Sequence, residues 1–206
     1  MNGIYVIDVV RHSRKIAPRD GALLGIKLKQ DAGILIGQMV RRKFEASGGH
    51  LVRVFDIVLN SEDEVAQLGP DDFSDNQVLI PSMRVMPHCF GQPKTGRAIF
   101  SSVGKNIKIP ELGKTNNLIE PATYDPESRT FVPLSKGADH LDRSDWEIMT
   151  WHGGRKHMQT PIEERGNLLI PLTVFSAISV DLFIARAFAY KNGEQLPDQP
   201  SHDEDR

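Results

Sequence analysis

Two histidines in this chain stand in similar surroundings, and both surroundings suit the handling of a phosphoryl group. One lies in Tyr5-Val6-Ile7-Asp8-Val9-Val10-Arg11-His12-Ser13, the other in Ile148-Met149-Thr150-Trp151-His152-Gly153-Gly154. Each is an apolar, strand-forming run that ends in an imidazole with turn-forming residues after it. If the two strands are parallel neighbours, His12 and His152 emerge at one edge of the sheet, the edge at which open α/β sheets bind ligands. With Arg11 they form a cationic pocket, and an arginine fork matches phosphate oxygens in geometry as well as in charge. The plain alternative for His12 is a sheet-edge residue bonded to backbone.

Other groupings of reactive side chains fit their chemistry less well. His88 and Cys89 with His152 and His157 match no compact zinc spacing. Asp145 and Glu147 with Lys156 have the composition of a nuclease-like metal site, but Gly153 and Gly154 interrupt the strand it would need. Lys105, Lys108 and Lys114 read as surface charge. The net charge of −2 over 206 residues supplies no field for nucleic acid or an anionic membrane.

The elements that must position the two histidines follow from pattern. Residues 4–10 are short, continuous and β-branched, as in a buried strand of a parallel sheet. Pro18, Asp20 and Gly21 place a loop over 15–24. Ile34, Ile36, Met39, Val40 and Phe44 recur at helical spacing over 30–46, and Gly48-Gly49 stops that helix. Residues 52–59 form a second strand. Asn60 and Ser61 then cap a helix whose first turn holds Glu62, Asp63 and Glu64. The Pro-, Gly- and Asn-rich stretch that follows contains a short helix over 97–103. Residues 147–151 form a strand, and 178–188 another, turned by Lys191-Asn192-Gly193.

In this order the pieces resemble the histidine phosphatase superfamily, which includes the phosphoglycerate mutase-like enzymes. The family opens with a strand ending in Arg-His-Gly, and here Arg11-His12-Ser13 stands in that place. Asp20-Gly21-Ala22-Leu23-Leu24 occupies the place of its first helix start. Phe55-Asp56-Ile57-Val58-Leu59-Asn60-Ser61, followed by Val65-Ala66, occupies its "Ser-Ser-x-x-x-Arg-Ala" turn. Trp151-His152-Gly153-Gly154 matches its late "Ser-His-Gly-Gly". The family's second phosphate-clamping arginine falls on Val65, and Arg14 stands where a glutamate is usual.

The resemblance implies a three-layer α/β/α sandwich with a mostly parallel sheet. Residues 1–196 form one domain, 70–145 a cap or insertion, and 197–206 a disordered tail. It implies a phosphomonoesterase that transfers the phosphoryl group to His12. Arg11 and His152 hold the phosphate, while Arg14, Ser61 and Gly153 bind substrate. The scheme needs neither metal nor cofactor, because a neutral imidazole is nucleophile enough. The partner is a phosphorylated small molecule or a phosphoprotein. The alternative is a module that keeps the pocket, has lost the chemistry and binds a phosphorylated ligand.

Length and composition fit one ordinary globular domain. Cys89, the only cysteine, permits no internal disulfide. With no signal-peptide pattern and no long apolar run, the chain reads as cytoplasmic, with neither nucleic acid nor membrane as partner. The apolar stretch 168–188 could bury a homodimer contact.

Overall fold

The computed structural model describes residues 6–11, 18–42, 49–74, 77–91, 97–107, 116–118, 122–133, 147–152, 155–161, 169–171 and 174–197. In chain order the strands are β1 (Val10–Arg11), β2 (Ala22–Lys27), β3 (Ile34–Arg41), β4 (His50–Leu59), β5 (Val78–Val85), β6 (Arg97–Ala98), β7 (Ser101–Asn106), β8 (Asn116–Leu118), β9 (Ala122–Asp125), β10 (Thr130–Pro133), β11 (Glu147–His152), β12 (Arg155–Pro161) and β13 (Leu169–Pro171). Helix α1 (Ala177–Asn192) follows them.

The centre of the fold is a five-stranded sheet in the order β5-β4-β3-β2-β7. Every neighbouring pair in it is antiparallel. The ladder slips between Leu35 and Gly37, between Met39 and Arg41, and twice along β4–β5. Such bulges bend and twist a sheet. Here the bend brings the two edges together: the amides of Ile99 and Phe100, just ahead of β7, donate to the Cys89 carbonyl, just beyond β5, at 3.0 and 3.2 Å. Pro81 fits in β5 because that strand lies at the edge of the sheet's strand order, where a missing N–H breaks no interior ladder.

Both faces of this sheet are covered. On one face, alternate residues of β2 to β5, including Leu24, Ile26, Leu35, Val54 and Ile80, join Phe90, Phe100, Tyr124, Phe131, Phe175 and Phe183 in one cluster. Stacked and edge-on rings run through it, from Phe90 on Phe100 to Phe131 on Phe175 and Phe183. On the other face Leu23, Ile36, Phe55 and Leu59 pack with Val65 and Ile107. Side chains such as these each contribute roughly 2 kcal/mol on burial.

The sandwich with a mostly parallel sheet is therefore overturned: the main sheet is antiparallel and α1 is the only α-helix among the described residues. Residues 34–41, read as part of a helix, are strand β3. Apolar residues occur on both its faces, and its bulges break the two-residue alternation, so the spacing imitates a helical one. Residues 178–188, read as a strand, belong to α1. Eight of its sixteen residues are buried, from Val180 to Ala189, so no single apolar stripe marks it. Its ends are orthodox: Ser176 Oγ accepts from Ser179 N at 3.3 Å, and Gly193 closes the helix at φ 69°.

Further differences follow along the chain. The short helix expected over 97–103 is instead β6 and the start of β7. Residues 22–24, read as loop, open β2. In the stretch read as a cap, β5 and β7 are strands of the main sheet itself. The strands expected over 52–59 and 147–151 are present as β4 and β11. The helix start expected after Asn60-Ser61 is a 3-10 helix over Glu62–Gln67, with no side-chain cap.

The segment from Val6 to Arg11 is not a central parallel strand either. Ile7 makes an isolated antiparallel bridge to Leu28, and β1 pairs antiparallel with β6. What holds this segment is Asp181, fully buried in α1. Its Oδ1 accepts from the amides of Val6 and Ile7, both at 2.9 Å. Replacing Asp181 with alanine leaves those two donors without that acceptor, at about 1–3 kcal/mol for each buried unsatisfied group. We expect Asp181→Ala to lower the unfolding free energy by about 3 kcal/mol in urea titration. Hydrogen exchange should show lost protection of the Val6 and Ile7 amides, and Asp181→Asn, which keeps an acceptor oxygen, should lose less of both.

Candidate functional site

The strand pairing expected to bring the two histidines to one edge is not formed. Arg11 lies opposite Arg97 in the β1–β6 ribbon. His152 ends β11 and lies opposite Arg155 of β12, in a separate four-stranded sheet ordered β12-β11-β8-β13. His12, Arg14 and Gly153 fall outside the described residues. Ser61 is exposed at the corner between β4 and the 3-10 helix. Val65, at the position of the family's second arginine, is 2% exposed and belongs to the smaller apolar cluster.

A cleft of about 260 Å³ lies beside that corner. It is lined by Val10, Lys27, Asp31, Gly33, Ile34, Asn60, Glu62 and Ser101. Four elements build it. Val10 arrives on the segment held by Asp181, which also bonds along β2 through Asp8 N to Lys27 O at 2.8 Å and Lys29 N to Val6 O at 2.9 Å. Lys27 ends β2, and Asp31 lies in the connection from β2 to β3. That connection is tight: Gln30 and Asp31 have φ of 58° and 54°, left-handed values that cost a residue with a side chain roughly 1–2 kcal/mol. Gly33 is required where the connection meets the end of β4, because a Cβ there would stand 2.6 Å from the Leu59 carbonyl oxygen.

The opposite wall is the Asn60–Glu62 corner, and it is held from both ends. Glu64 accepts from the Asn60 backbone amide and from its side-chain nitrogen, at 3.2 and 3.3 Å. Lys105 of β7 donates to the carbonyls of Val65, Ala66 and Leu68, closing the C-terminal end of the 3-10 helix where carbonyls lack partners. Val65 anchors the helix from beneath. Its acidic residues are thereby displayed at a fixed place.

The charged residues lining the cleft are Lys27, Asp31 and Glu62. Lys27 Nζ lies 3.6 Å from Asp8 Oδ2 and 3.6 Å from Asp31 Oδ1, with all three side chains about half or more exposed. Ser101, the only hydroxyl in the lining, donates to the Gly25 carbonyl at 3.1 Å. Among the described residues no imidazole or thiol lines the cleft. Among the described residues no group of three His, Cys, Asp or Glu is placed to hold a metal.

Comparison of the chain with protein-family models, with curated proteins and with solved structures finds no match to any of them. The site must be read from its own chemistry.

Buried polar groups elsewhere are structural in character. Arg53 Nε donates to Gln38 Oε1 at 3.0 Å, and Gln38 passes a bond to the Ile107 carbonyl at 3.4 Å. The Arg53 guanidinium also lies over the Phe55 ring, 5.2 Å from its centre. Burial lowers Arg84 to a pKa of about 10, which leaves it a cation at neutral pH. The Cys89 thiol is pushed up to about 12 by burial, so the one cysteine is no nucleophile in the folded protein. No helix among the described residues is long and apolar enough to cross a membrane.

Sequence reasoning missed the cleft because its residues are scattered from Val10 to Ser101. The available signal was local: Lys27 and Asp31 flank a connection ending in Gly33, and acidic residues follow Asn60.

Two outcomes follow. Cys89 should resist a thiol reagent at pH 8 in the native protein and react at once in denaturant, as read by absorbance of the released thiolate. Val65→Arg should not create a phosphate clamp. It should cost about 3 kcal/mol in urea titration, the effect of forcing a charge into an apolar cluster, and inorganic phosphate should not raise its melting temperature.

Proposed function

We propose that this chain is a binding module that recognises a positively charged segment of a partner protein through the cleft between the β2–β3 connection and the Asn60–Glu62 corner. The observation that carries this reading is the lining. Two carboxylates, Asp31 and Glu62, line it with one ammonium, Lys27, beside Asn60 and the apolar Val10 and Ile34. Such a surface attracts a basic partner over distance and repels phosphate at contact.

The phosphohistidine reading keeps one local support, the course of β1 to the rim of the cleft at Val10, one residue before Arg11. It has lost the parallel sheet that was to join His12 to His152. A phosphate-binding module meets the same repulsion from Asp31 and Glu62.

Fluorescence anisotropy with a labelled arginine-rich peptide tests the proposal. Binding should appear at low ionic strength and weaken as salt screens the charges. The double variant Asp31→Asn, Glu62→Gln should bind about tenfold less tightly, the effect of removing two charges at roughly 0.5–1 kcal/mol each. Unchanged binding in that variant would overturn the reading. Turnover of an aryl phosphate that disappears in His12→Ala would favour the phosphohistidine enzyme instead.

A further inference from the structure

We draw no further inference here: the strongest candidate, the buried side-chain cluster of Gln38 on β3, Arg53 on β4 and Ser82 and Arg84 on β5, is tied into the fold by the bonds from Arg53 to Gln38 and from Gln38 to the Ile107 carbonyl, and nothing in the structure shows a ligand that would reach it.

Discussion

A single carboxylate organises the entrance to this fold. Asp181 is completely buried in the middle of α1, where an unpaired charge would be costly, and it takes up the amides of Val6 and Ile7. That fixes the course of the first described segment. The segment then bonds along Lys27 to Lys29, bridges Ile7 to Leu28 and carries Val10 to the cleft. One wall of the candidate site thus depends on a residue in the last helix that does not line it. Asp181 thus ties α1 to the segment that carries Val10.

The covering of the central sheet on both faces explains both its solidity and its poor legibility. A sheet with one wet face writes alternation into its strands. Here Leu23 and Leu24, or Leu35 and Ile36, are adjacent and all fully buried, each pair serving both apolar clusters. Bulges at Gly37 and near Met39 scramble the remaining period. β3 consequently carried a helical spacing, while α1, buried around much of its circumference, carried none. β4 and β11 were legible because a β-branched or aromatic run bounded by turn residues means a strand whether one face is covered or two. The turn at Lys191-Asn192-Gly193 was legible from local backbone chemistry, but the element it ends is a helix and not the strand expected there.

The site was less legible than the strands. The motif reading attached meaning to Arg11, His12 and His152 through an assumed parallel neighbourhood, and neighbourhood is the property a one-dimensional pattern carries least well. β1 ends in an antiparallel ribbon with β6, and β11 belongs to another sheet. The cleft, by contrast, is assembled from residues whose types are unremarked in sequence: a lysine in a strand, an aspartate in a turn, an asparagine and a glutamate at a corner. The ladders that pair Ile34 with Lys27 and with Leu59, and the close approach of Gly33 to the Leu59 carbonyl, place those residues side by side.

The bond from Asp181 to the start of the chain also bears on the order of assembly. Its partners are separated by 175 and 174 positions in sequence. Closing so long a loop is entropically unfavourable until other contacts have shortened it. During synthesis, the β2–β3–β4 meander can emerge from the ribosome and begin pairing well before Asp181 exists. The opening segment can pair early with Lys27, Leu28 and Lys29, but its bonds to Asp181 must wait for α1. High contact order of this kind slows folding, and it ties the final fixing of the segment that carries Val10 to synthesis having passed α1.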